Sequence, residues 1–180
     1  MRKAAFLDRD GVINREVEYL HRIEDFEFIE GALEGCRRLQ EKGYLLVVIT
    51  NQSGIARGLY TEDDFQRLNA WMLQRLKEHG VEIAGVYFCP HHPTEGVGPY
   101  RTECDCRKPE AGMIEAACRE HDLDAAASIL VGDKASDAEA GRRAGVGRVF
   151  LVHSGHALST EDAALADHVC ADLLEASALA

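Results

Sequence analysis

No stretch of this 180-residue sequence approaches the roughly 18 consecutive apolar residues that a membrane-spanning helix requires. The opening segment, Met1 to Asp8, has too short an apolar run for a secretory leader. Basic residues are scarce: 20 Lys and Arg stand against 31 Asp and Glu, a net charge of -11. That is the wrong sign for a surface that must neutralise nucleic-acid phosphates. No internal repeat, low-complexity tract or interdomain linker breaks the chain. Residues 1–180 suit one domain, long enough to bury a core without disulfides. A protein in the cytoplasm, apart from membranes and nucleic acid, is expected. With no exposed apolar stripe in the sequence, a monomer is expected too.

What is present is an alternation of short apolar, β-branched runs with amphipathic stretches. Ala4–Leu7, Leu45–Ile49, Ala84–Phe88, Ser128–Gly132 and Arg148–Val152 read as strands. Between them, helices are predicted over Ala32–Lys42, from a Thr61/Asp64 cap to Gly80, and over Pro109–His121. Ser136 and Glu139 spell a capping box for a further helix. The residues from Thr160 onward read as mostly helical, with a short strand near Val169. The continuous apolar run at Leu45–Ile49 is typical of a strand covered on both faces. The pattern predicts an α/β fold: a three-layer, Rossmann-like sandwich around a mostly parallel sheet. No insertion between Leu45 and Lys108 is large enough for a separate cap domain. Ligands of such folds bind at the carboxyl ends of the strands.

The six cysteines divide into two sets. Cys36, Cys118 and Cys170 fall on apolar faces and read as small buried hydrophobes. Cys89, Cys104 and Cys106 lie in a long aperiodic segment, 89–108, of a kind uncommon without a purpose. Cys89-Pro90-His91 and Cys104-Asp105-Cys106, twelve residues apart, offer three thiolates and an imidazole. That is a closed tetrahedral set suited to a structural Zn²⁺, with His91 or its neighbour His92 as the nitrogen ligand. Such a zinc-stabilised loop runs directly into Arg107-Lys108 and would fix both cations in place.

The strand ends carry the chemistry. The first ends in Asp8-Arg9-Asp10-Gly11, the second in Thr50-Asn51-Gln52-Ser53 and the fourth in Gly132-Asp133-Lys134, while Lys108 precedes a helix. A sharp turn after Asp8 can re-aim Asp10. The carboxylates of Asp8, Asp10 and Asp133 suit a hard, octahedral Mg²⁺. The Thr50 hydroxyl, adjacent backbone N–H groups and the Lys108 ammonium suit the oxygens of a phosphoryl group. Any one of these acidic residues alone would read as a turn cap; the set on one rim reads as a site.

This combination resembles the haloacid dehalogenase superfamily: Asp8/Asp10, Thr50, Lys108 and Asp133/Asp137 fall in that family's order. The resemblance implies catalytic roles for Asp8 as nucleophile, Asp10 as acid/base, and Thr50 and Lys108 as phosphoryl clamps. It also implies Mg²⁺ on Asp8, the Asp10 backbone carbonyl and Asp133, and it favours His91 over His92 in the zinc set.

The closer resemblance is to the phosphatases that remove the 7-phosphate of D-glycero-D-manno-heptose 1,7-bisphosphate. It rests on FLDRDGVIN (Phe6–Asn14), VITNQSGIARG (Val48–Gly58), CPHHP (Cys89–Pro93), CDCRKP (Cys104–Pro109) and GDKASD (Gly132–Asp137). It implies a small sugar bisphosphate as substrate, within the metabolism of an outer-envelope lipopolysaccharide. Asn51, Gln52 and Ser53 would bind phosphate, Arg107 and Lys134 would contact substrate, and the family's substrate loop maps onto Glu16–Tyr19, with Glu16 and Tyr19 as contacts. Arg57, Arg101, Arg107 and Lys134 exceed what one phosphoryl group needs and suit a second. Alternatives are a histidinol-phosphate phosphatase with the same motifs, a polynucleotide 3′-phosphatase, which the acidic composition disfavours, and a zinc-stabilised binding module without activity.

Overall fold

A computed structural model of the chain describes all 180 residues. In chain order its elements are β1 (Ala4–Leu7), α1 (Ala32–Glu41), β2 (Leu45–Asn51), α2 (Glu62–Glu78), β3 (Ile83–Cys89), α3 (Gly112–His121), β4 (Ile129–Gly132), α4 (Ala135–Arg143), β5 (Arg148–Val152), α5 (Thr160–Ala163), β6 (His168–Cys170) and α6 (Leu173–Leu179). The six strands form one sheet in the order β3-β2-β1-β4-β5-β6, and every neighbouring pair is parallel. This is the Rossmann-like arrangement that the alternating pattern predicts.

Successive residues of a strand point to opposite faces, and the core divides accordingly. Ala5, Leu7, Leu46 and Val48 pack with Cys36 and Leu39 of α1, Leu68, Met72 and Leu76 of α2, and Leu173 of α6. Ala4, Phe6, Val47 and Ile49 pack on the other face with Met113, Ile114 and Ala117 of α3 and Ala138 and Ala140 of α4. The four residues of β1 therefore serve two cores at once, and all four are wholly buried. Truncating side chains in such positions typically costs about 2–5 kcal/mol.

Strand order reverses at β1: β2 follows on one side and β4 lies on the other. The crevice above their carboxyl ends is where such sheets bind ligands. Both chain ends lie at the opposite edge. Arg2 pairs with Leu123 ahead of β1. Near the start of β2, Lys42 Nζ donates to the main-chain oxygens of Ser177 and Ala180, at 2.7 and 2.9 Å.

Several boundaries differ from the sequence expectation. β2 runs on through Thr50 and Asn51, and β3 ends at Cys89, because Thr50 pairs with Phe88 and Asn51 with Cys89. α3 starts at Gly112, later than Pro109: the intervening residues turn, with Glu110 N–H donating to Arg107 O and Gly112 N–H to Asp105 O, both at 2.8 Å. The Ser136/Glu139 capping box does not cap α4. Ser136 already lies inside the first turn, and Asp137 Oδ2 accepts from the N–H groups of Asp133 and Lys134, both at 3.0 Å. The last stretch is two short helices around β6, and Cys118 is only partly buried, unlike Cys36 and Cys170.

Candidate active site

β1 delivers Asp8 to the crevice, and the Asp8 N–H extends the pairing with β4 by donating to Val131 O at 3.0 Å. The chain then turns sharply. Arg9 O accepts from the N–H groups of Ile13 and Asn14, and Gly11 N–H closes back onto Asn14 O. Gly11 sits at φ +86°, where a side chain would be strained; a Cβ there would also lie 2.4 Å from Asp133 Oδ2. The turn re-aims Asp10 as its position required. The Asp10 carboxylate is held by Arg9, whose Nη2 is 3.0 Å from Oδ1, by Asn14 Nδ2 at 3.0 Å and by Gln52 Nε2 at 3.3 Å.

Four residues distant in sequence meet beside Asp8. Lys108 Nζ lies 3.1 Å from Asp8 Oδ1 and 2.6 Å from Asp137 Oδ1, and donates to Ile49 O at 3.1 Å. Carboxylate oxygens of Asp8, Asp133 and Asp137 all lie within 4.8 Å of one another. Burial pushes the Asp8 carboxyl well above its usual range against the pull of Lys108, and the carboxylates of Asp137, Asp133 and Asp10 add to the rise. Burial also draws the Lys108 ammonium down, but Asp137 and Asp8 outweigh it and hold it above the usual lysine range. For Asp133 burial pushes up, yet hydrogen bonds from the His156 side chain and backbone keep it below the usual range.

These donors fit a divalent cation. When ionised, three buried carboxylates against one ammonium leave two negative charges to be met, and Asp133 Oδ1 is buried with no hydrogen-bond partner. The Asp10 carboxylate stands outside this cluster, occupied by Arg9, Asn14 and Gln52. Asp137 carries no metal role in the sequence reading, and its two oxygens are already taken by Lys108 and the start of α4.

Thr50 is buried at the end of β2, and its hydroxyl accepts from Gln52 Nε2 at 2.8 Å, which leaves its own proton to donate. Tyr60 Oη in turn donates to Gln52 Oε1. Asn51 uses its amide to bracket the backbone of Lys108, accepting from its N–H at 3.0 Å and donating to its carbonyl at 3.1 Å. Above this floor lies a cavity of about 560 Å³, reached by Asp8, Asp10, Lys108, Asn51–Ser53, Arg57, Arg107, Lys134 and the Glu16–Tyr19 loop. Arg101 does not reach it. Tyr19 adopts φ +54°, uncommon for a residue with a side chain, and the Arg57 guanidinium lies over its ring at 5.7 Å. Desolvation and the nearby Asp10 carboxylate push the Glu16 carboxyl up, while His156 and Lys134 pull it down.

The Cys89, His91, Cys104 and Cys106 donor atoms converge within 4.8 Å. His91 Nδ1 lies 3.6 Å from Cys89 Sγ and 3.4 Å from Cys106 Sγ. His92 is excluded from the set by its own bonding: its Nδ1 accepts from the N–H groups of Thr94 and Glu95, at 3.2 and 2.9 Å.

Three neighbours of the catalytic rim escape the sequence reading. Arg9 has its side chain 1% exposed, Tyr60 arrives from the turn before α2, and His156 arrives from the loop after β5. The signal for His156 is positional: Ser154-Gly155-His156 follows a fifth strand end on the same rim.

Comparison with known proteins gives the family. A family model described as HAD-hydrolase-like matches residues 105–176. The chain is 50% identical over 169 residues to a D-glycero-alpha-D-manno-heptose-1,7-bisphosphate 7-phosphatase of Photorhabdus laumondii, covering 93% of this chain and 92% of that one. It is 49% identical over 175 residues to the corresponding beta-anomer enzyme of Haemophilus ducreyi, covering 97% and 96%. Among solved structures, it resembles the D,D-heptose 1,7-bisphosphate phosphatase of B. bronchiseptica complexed with magnesium and phosphate. The TM-score is 0.82 at 30% identity, with 98% and 97% of the two chains covered.

Proposed function

The chain belongs to the D-glycero-D-manno-heptose-1,7-bisphosphate 7-phosphatase family of the haloacid dehalogenase superfamily, and we propose how its residues divide the work. It is a magnesium-dependent phosphatase that removes the 7-phosphate of the heptose bisphosphate. The observation that carries the assignment of roles is the meeting of Asp8, Lys108 and Asp133 beneath a cavity rimmed by surplus cations.

Asp8 attacks phosphorus in line, forming an aspartyl-phosphate as the bond from phosphorus to the C7 oxygen breaks. Asp10 gives its proton to the departing C7 oxygen. As a carboxylate it then takes a proton from the water that attacks phosphorus, and inorganic phosphate leaves with Asp8 regenerated. Thr50 and Lys108 donate to the phosphoryl oxygens throughout, with Gln52 and Ser53 alongside, and Asn51 fixes the Lys108 backbone that presents the ammonium. Mg²⁺ held by Asp8, the Asp10 main-chain carbonyl and Asp133 would neutralise charge on the transferring group. Arg107 and Lys134, with Arg57, hold the 1-phosphate, while Glu16 and Tyr19 line the sugar.

The cation count separates this reading from a histidinol-phosphate phosphatase: Arg57, Arg107 and Lys134 remain after Lys108 has served the reacting phosphoryl group. The test is phosphate release with Mg²⁺ from both anomers of the heptose bisphosphate and from histidinol phosphate. We expect kcat/KM for at least one heptose bisphosphate to exceed that for histidinol phosphate by about tenfold or more, the scale of one additional charge-assisted phosphate contact. Equal turnover would keep the chemistry and remove the substrate.

Cys89, His91, Cys104 and Cys106 form the structural zinc site in this reading, which also suits a reducing cytoplasm. Cys104→Ser is then expected to abolish equimolar zinc in the purified protein, read by elemental analysis. It should also lower kcat/KM by loosening Arg107 and Lys108. Full zinc content in the variant would remove the assignment.

A further inference from the structure

The loop that follows β5 completes the site from a side no role above accounts for. Ser154 Oγ donates to Gly11 O at 2.8 Å and ties this loop to the turn after β1. A Cβ added to Gly155 would lie 2.2 Å from Asp133 Oδ2, and one added to Gly11 would lie 2.4 Å from the same atom. The Asp133 carboxylate thus stands in a slot walled by two glycines. His156 closes the slot with two contacts to one oxygen: its N–H donates to Oδ2 at 3.0 Å, and its ring Nδ1 lies 2.7 Å from Oδ2. An ionised carboxylate can only accept, so Nδ1 carries the proton in this arrangement. The other oxygen, Oδ1, is buried and bare. A carboxylate rotates readily about its last bond, and the two oxygens exchange unless something holds one of them.

We propose that His156 is a positioning residue: it pins Oδ2 of Asp133 and so aims Oδ1 at the magnesium position beside Asp8. The inference rests on the assignment of Asp133 as a magnesium ligand made above. It adds the end of β5 to those of β1, β2 and β4, which together with Lys108 carry the site. The imidazole itself, 41% exposed, borders the substrate cavity, and a carboxylate oxygen of Glu16 lies within 4.8 Å of both His156 and Asp133. A direct substrate contact through Nε2 is therefore the competing role, and side-chain geometry separates the two. An asparagine amide nitrogen falls close to the place of Nδ1, whereas a glutamine amide nitrogen falls close to that of Nε2.

The experiment is calorimetric titration of MgCl₂ into magnesium-free protein, together with kcat and KM for heptose bisphosphate at saturating Mg²⁺. It compares wild type with His156→Ala, His156→Asn, His156→Gln and Asp133→Asn, each checked for folding by circular dichroism. His156→Ala and His156→Gln are expected to bind Mg²⁺ about tenfold more weakly, as loss of a partner that orients a metal ligand usually causes. His156→Asn is expected to restore wild-type affinity, and KM at saturating Mg²⁺ should not move. Unchanged Mg²⁺ affinity in both His156→Ala and His156→Gln overturns the proposal, and so does rescue by glutamine with a raised KM in His156→Ala. Should His156→Ala fail to fold, the asparagine and glutamine pair decides alone. Asp133→Asn separates the two levels. If it binds Mg²⁺ like wild type, the metal assignment itself falls; if it alone loses binding, only the role of His156 falls.

Discussion

Asp8→Asn is expected to lower kcat by about five orders of magnitude or more, the scale on which loss of a covalent nucleophile is felt. The amide is nearly the same size as the carboxylate, so the slot at the end of β1 stays filled. Lys108 keeps its 2.6 Å partner, Asp137. Removing one of three clustered carboxylates also relieves the repulsion that, with burial, lifts Asp8. The variant should therefore fold with a melting temperature at or above that of the wild type, and it should still bind the sugar bisphosphate. Acid-quenched wild-type enzyme should carry a phosphoryl group on the peptide containing Asp8, by mass spectrometry, and the variant should not. Residual turnover within a hundredfold of wild type would refute Asp8 as nucleophile.

Lys108→Met should damage stability as well as rate. The ammonium is 3% exposed and is the sole cation in hydrogen-bond contact with both Asp8 and Asp137, whose side chains are 10% and 2% exposed. Methionine fills the volume but leaves two like charges facing each other without water. Removing one member of a buried ionic cluster costs about 3–5 kcal/mol. That is a large share of the roughly 5–15 kcal/mol by which domains of this size are stable. Denaturant unfolding should show the loss at neutral pH and a smaller one in acid, once Asp8, whose carboxyl burial lifts, is protonated and needs no counter-charge. The second variant, Lys108→Arg, keeps the charge but not the shape, and should recover stability better than activity. A Lys108→Met midpoint equal to wild type at neutral pH would show that the pair carries no net stabilisation.

Much of this was readable from the chain because polar residues stand immediately after apolar runs. Ala4–Leu7 followed by Asp8, and Leu45–Ile49 followed by Thr50, announce strands whose ends meet a ligand. The parallel sheet follows from the helices between them. What could not be read depends on contacts across the chain. β2 and β3 are lengthened by their mutual pairing, which leaves no mark in composition. The start of α4 is decided by Asp137, whose oxygens serve a helix end and a lysine 29 positions away. Arg9 looks in sequence like any surface cation, yet it is among the largest fully buried side chains, because Asp10 and Leu20 O supply its partners. His156 lies in a loop with no periodicity, and only the convergence of strand ends brings it to Asp133.

The placement of both chain ends at the rim behind the sheet has a practical corollary. Met1 and Ala180 emerge where the strands begin, so a tether, a fluorophore or a fused protein attached at either end would hang away from the crevice. The molecule can be gripped from the back while its mouth stays open to solvent, which makes it suited to immobilisation with its turnover intact.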